Sequence, residues 1–152
     1  MKRVVALLAL AFILAACAEA LAPEPTATAA GPTILVAEEN PYAPEPGDTS
    51  LQRAGLILTS IDLSDRTDLT PARVGLHILG SLPSICHELR MEMSPPNGQY
   101  QIFIEVYSVV NLNLDCENVF QQFEADILFG MFSPGRYTVW MNKGYIGDFI
   151  VY

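Results

Sequence analysis

Beyond residue 55, alternation of apolar and polar residues takes over in successive short segments, and helical spacing is nowhere sustained. In an extended strand successive side chains point to opposite faces, so this period separates an inward set from an outward one. Residues 73–79 place Val74, Leu76 and Ile78 on one face and Gly75, His77 and Leu79 on the other. Leu89, Met91 and Met93 oppose Arg90 and Glu92. Within residues 99–109 the inward set is Tyr100, Ile102, Ile104 and Val106, and within 120–129 it is Phe123, Ala125, Ile127 and Phe129. Residues 136–142 and 147–152 form a last hairpin around Asn142-Lys143-Gly144, with Tyr137, Val139, Met141, Phe149 and Val151 inward. Residues 56–62 supply an opening strand, and Pro95-Pro96-Asn97-Gly98 reverses the chain midway. Seven short strands divided by turn signals predict a small antiparallel β-sandwich over residues 55–152.

The N-terminal third has a different character. Lys2 and Arg3 precede an apolar run that ends at Ala16, too short for the roughly 20 residues of a spanning helix. A charged start, a short apolar middle and small residues at its end make an export signal over residues 1–16. Leu14-Ala15-Ala16-Cys17 resembles the lipobox of bacterial lipoproteins. The resemblance implies cleavage before Cys17 and a diacylglycerol on its thiol. The chain is then expected to be exported and lipid-anchored to a bacterial membrane, on the extracytoplasmic side. Residues 17–54 carry Pro23, Pro25, Pro32, Pro41, Pro44 and Pro46 among Ala, Thr and Glu, the composition of an extended spacer. Within it Ile34-Leu35-Val36 is apolar enough to dock as an edge strand or to remain linker.

Export bears on the other cysteines. With Cys17 acylated, Cys86 and Cys116 remain as a pair in an oxidising compartment, where a disulfide is the expectation. Free thiols and a metal pair are the alternatives, the latter without support from any CxxC or Cys/His cluster. The chain holds 8 basic and 17 acidic residues, and losing Lys2 and Arg3 brings the surplus of acid to 11. Such a surface argues against nucleic acid, whose affinity comes mainly from Lys and Arg on phosphates.

Phe132-Ser133-Pro134-Gly135-Arg136-Tyr137-Thr138-Val139 resembles the sixth-strand entry of immunoglobulin-like and fibronectin type III-like domains. That likeness implies that the Tyr137 hydroxyl bonds back to the chain just upstream. Gly80-Ser81-Leu82-Pro83, Cys86, Cys116 and the Pro-Gly-x-Tyr-x-Val ending are together similar to a group of small bacterial lipoprotein domains. This second likeness spans residues 55–152 and implies the fold and the disulfide, but no activity.

No constellation of catalytic residues stands out, and no enzyme, cofactor or metal is expected. His77 and His87, with Cys86, Met91 and Met93, have the donor types of a soft-metal site. The alternation of the methionines with charged residues marks a core face instead. Asn111, Asn113, Asp115 and Glu117 have the oxygen spacing of a calcium loop, but Cys116 and Gln122 stand where an EF-hand needs Gly and Glu. Asp62, Asp65 and Asp68 read as a second acidic loop. Nucleophilic catalysis would need Ser or Cys beside an oriented His, and no Gly-x-Ser-x-Gly occurs. The remaining candidates are large apolar residues on outward faces: Phe103, Tyr107, Trp140, Ile150 and Tyr152. A contiguous patch of them would mark a binding face for a protein or a glycan. The alternatives are a protease inhibitor presenting residues 95–98 and 111–118, and an extracytoplasmic metal-binding lipoprotein.

Overall fold

A computed structural model describes residues 40–69 and 72–152. The expected export signal over residues 1–16, Cys17 and Ile34-Leu35-Val36 lie outside the described residues. A 3-10 turn, Pro46–Ser50, precedes eight strands: β1 (Gln52–Ala54), β2 (Ile57–Arg66), β3 (Arg73–Leu82), β4 (His87–Met93), β5 (Gln101–Val110), β6 (Gln121–Leu128), β7 (Gly135–Met141) and β8 (Gly144–Val151). They form two sheets. One is the antiparallel trio β2–β3–β6. The other runs β4–β5–β7–β8, with β1 sharing an edge of β5.

The inward sets meet between the sheets. Leu76, Ile78, Ala125 and Ile127 from the trio face Met91, Ile102, Ile104 and Val139 from the larger sheet, all nearly fully buried. Each such Leu, Ile, Val or Met side chain withdrawn from water contributes about 1.5–3 kcal/mol, which makes this layer the main stabilising element. Tyr137 is completely buried, and its hydroxyl donates to Ser133 O at 2.8 Å, the corner that the likeness implied. The disulfide is formed: Cys86 and Cys116 tie the start of β4 to the loop before β6.

Within the strands and their connections, three features differ from the expectations. The β5–β7 ladder is parallel, from Gln101↔Thr138 to Ile104↔Met141. Beyond Ile104 that edge of β5 is completed by a side chain. Asn142 Oδ1 accepts from Val106 N at 2.9 Å, and Asn142 Nδ2 donates to Val106 O at 3.0 Å. Asn142 and Lys143 both have positive φ, 46° and 72°, as a tight two-residue hairpin demands. Tyr100, by contrast, is not an inward strand residue. It sits at φ 59° in a longer connection between β4 and β5, where Asn97 Oδ1 accepts from Gln99 N and Gln101 N. The Asn97 side chain, rather than a two-residue Asn-Gly turn, organises this reversal. The third difference is that Asp62 and Asp65 belong to β2, not to a loop, and Asp68 pairs with Arg66 at 2.7 Å.

The folded unit also begins earlier than residue 55. Asn40 Nδ2 donates to Met91 O at 2.8 Å, and Met91 N donates to Tyr42 O at 2.7 Å, so residues 40–42 lie along the free edge of β4. The chain then crosses the outer face of the larger sheet to reach β1. What holds this strap is Arg90, only 6% exposed, whose guanidinium donates to both Asp48 oxygens at 2.8 and 2.9 Å and to Glu88 at 2.8 Å. A charge so covered requires a partner, and the strap supplies Asp48. The Arg90 guanidinium holds the Asp48 carboxyl below its ordinary range. Asp48→Asn is expected to cost about 2 kcal/mol at pH 7, less than the ~3–5 kcal/mol of a fully broken buried pair because Glu88 remains. A carboxyl with a depressed folded pKa stabilises above its unfolded pKa and loses that contribution as pH falls through the folded value. The gap between wild type and variant in urea titrations should therefore close below about pH 4.

Candidate functional site

The outward face of the larger sheet gathers aromatic side chains where three strands run side by side. Phe103 on β5 pairs in register with Trp140 on β7, and Trp140 pairs with Tyr145 on β8. Alternation sends Phe103 and Trp140 outward, and the register shift at Val139/Trp140 brings Tyr145 beside them. Phe103 stacks on Trp140 with ring centroids 6.5 Å apart, and Tyr145 meets the other side of Trp140 edge-on at 5.5 Å. Phe103 and Tyr145 are 43% and 53% exposed, with Trp140 half-buried between them.

Polar groups border these rings. Tyr145 Oη donates to Asp148 Oδ1 at 2.8 Å, and Arg136 Nε donates to Asp148 Oδ2 at 2.9 Å. The same two contacts hold the Asp148 carboxyl below its usual range, with Tyr145 the larger cause, and the hydrogen bond to Asp148 pushes the Tyr145 phenol up. On the strand that carries Trp140, two covered polar atoms, Trp140 Nε1 and Thr138 Oγ1, have no hydrogen-bond partner in the protein. The arrangement offers flat apolar ring faces beside a fixed carboxylate and guanidinium.

Of the expected face residues, the structure brings Phe103 and Trp140 together. Tyr107 lies on the same outward side of β5 but is only 9% exposed, because the Arg53 guanidinium from β1 sits 3.5 Å over its ring. It is therefore covered and not part of an open patch. Ile150 is outward and exposed, but it pairs with Arg136, four residues along β7 from Trp140, or about 13 Å at strand spacing. Tyr152, 98% exposed, lies beyond the end of β8 and farther still from Trp140. Tyr145 joins the patch although the alternation did not single it out. The β-bulge between Val139 and Trp140 shifts the register there, so that Trp140 meets Tyr145.

The other candidates are dispersed. Met91 points into the core, Cys86 is in the disulfide, and His87 Nδ1 is 2.8 Å from Ser84 Oγ. That Ser–His contact is a turn lock: Ser84 is 2% exposed and its Oγ also accepts from Cys86 N. Asn111 Oδ1 accepts from Asn113 N, closing its own turn within the loop. Residues 95–98 and 111–118 flank opposite ends of β5, about 33 Å apart, and do not form one presenting surface. The structure instead brings His77 beside Glu124 and Asp126 on the trio's outer face, a grouping that needs the β3–β6 register to be seen. Comparison with protein-family models, with curated proteins and with solved structures finds no match.

Proposed function

We propose that the chain is an exported bacterial lipoprotein, acylated at Cys17, whose sandwich is a non-enzymatic binding module for a glycan at Phe103, Trp140 and Tyr145. Membrane attachment rests on the lipobox resemblance, and several acyl chains on one residue hold a protein stably where one does not. The observation that carries the binding reading is the contiguity of three aromatic rings on an open sheet face beside the Asp148–Arg136 pair. A sugar ring presents an apolar face flanked by hydroxyls, and this surface matches both features. The protein-partner reading stays with the same surface and is separated from it by experiment.

Trp140→Ala is expected to weaken binding at least tenfold, in line with the roughly 2 kcal/mol or more lost when a central aromatic anchor is truncated. A glycan array probed with wild type, followed by titration of the best ligand into both proteins, measures this. Equal binding by the variant would remove the face from consideration. Binding only to a protein, lost in the same variant, would leave the face and change the ligand.

A further inference from the structure

The opposite sheet carries a second cluster, unrelated to the aromatic face. On β3 the outward residues include Gly75 and His77, flanked in register by Asp62 of β2 and Asp126 of β6. Glu124 lies two residues from Asp126, on the same side of β6. His77 Nδ1 is 2.8 Å from Asp126 Oδ1. A carboxylate only accepts, so Nδ1 carries a proton; the flanking carboxylates favour the charged ring, and a metal at Nε2 takes the place of the second ring proton. That nitrogen is 3.8 Å from Glu124 Oε1, and one ligand atom from each of His77, Glu124 and Asp126 lies within 4.8 Å of the others.

We infer that this cluster binds one divalent transition cation of the zinc type, through His77 Nε2 and the Glu124 carboxylate, with Asp126 orienting the imidazole. Two ligand atoms on a tetrahedral zinc stand about 3.3 Å apart, given bonds of roughly 2.0–2.1 Å. The observed 3.8 Å therefore closes with a few tenths of an ångström of movement in a glutamate whose side chain is 67% exposed. A ligating histidine whose other ring nitrogen donates to a carboxylate is the usual support for such a metal, and the His77–Asp126 bond has that form. Glu124 stands opposite Leu79 and Asp126 opposite His77, so both carboxylates project from β6 on the outer face that carries the imidazole. Arg66 is engaged by Asp68 at 2.7 and 2.8 Å. Carboxylates at adjacent positions of one sheet face repel one another, and Asp62, Glu124 and Asp126 all act on His77. A cation relieves that repulsion. The imidazole, in place of a further oxygen, selects the zinc class over calcium.

The test is calorimetric titration of zinc chloride into the untagged full chain at pH 7. One ion per chain is expected, saturating at micromolar concentration. His77→Asn and Glu124→Gln should each weaken binding about tenfold or more. His87→Asn should leave it unchanged, and urea midpoints for all three variants establish that they fold. Excess calcium should not displace the zinc. Absence of saturable binding up to about 1 mM, wild-type affinity in His77→Asn, or ready displacement by calcium would each overturn the assignment. Loss of zinc binding in His77→Asn leaves the glycan titration unaffected, because the two sites lie on different sheets.

Discussion

Replacing both Cys86 and Cys116 by alanine is expected to lower the stability of the sandwich by about 3.5 kcal/mol. The two residues are separated by 30 positions, and the loop they close contains all of β4 and β5 and the segment that leads to β6. Most of the effect lies in the unfolded chain, which gains the freedom the link had removed. The urea midpoint should therefore fall while the slope of the transition rises, because a denatured state without the cross-link exposes more surface. A smaller part is local. Leu112 and Leu114 are exposed in the tethered loop, and Cys116 is its covalent attachment to the rest of the domain. The turn at the other end has its own restraints, His87 N donating to Ser84 O and Cys86 N to Ser84 Oγ. Protection from amide exchange should consequently be lost across residues 111–120 before it is lost at the start of β4. A double variant with an unchanged midpoint would show that the link contributes nothing.

The faces of the strands were readable because alternation is a local property. Val74, Leu76 and Ile78, then Ile102, Ile104 and Val106, then Tyr137, Val139 and Met141 are all buried as their spacing required. Neighbours were not readable in the same way. A strand with one apolar face has the same pattern whether its partner runs parallel or antiparallel, so the β5–β7 ladder left no trace in the spacing. Tyr100 failed as an inward residue because its backbone lies in the left-handed region, where a strand cannot continue. Residues 40–54 read as spacer because of their prolines. Their attachment depends on Arg90, a charged residue on an outward position whose need for Asp48 appears only once the strap is seen to cover it.

The candidate sites divide along the same line. Phe103 and Trp140 were identifiable as outward aromatics, and the pairing of β5 with β7 converts two separate residues into one surface. Tyr145 entered through a bulge, and Tyr107 left through a cation supplied by β1. His77 was visible as a histidine, but its sequence neighbours suggested sulfur ligands. Its carboxylate partners lie 47 and 49 positions away, and only cross-strand register makes them adjacent.

Tyr137→Ala is expected to cost about 4 kcal/mol, the range for deleting a fully buried aromatic side chain. The ring is fully enclosed by other aromatics: stacked with Phe149 at 5.2 Å, tilted against Phe132 at 4.9 Å and edge-on to Tyr100 at 5.2 Å. Phe132 and Phe149 also touch Phe129, so the cavity would open at the centre of a connected aromatic cluster. Such a cluster collapses poorly around a missing ring, because the surrounding strands hold its members at fixed spacing. Tyr137→Phe keeps the ring and removes only the hydroxyl that donates to Ser133 O, for an expected cost of about 1 kcal/mol. The pair of variants thus separates packing from the hydrogen bond, with urea titration as the measurement. If Tyr137→Phe proved as damaging as Tyr137→Ala, the corner hydrogen bond, rather than the aromatic cluster, would be what seats the start of β7.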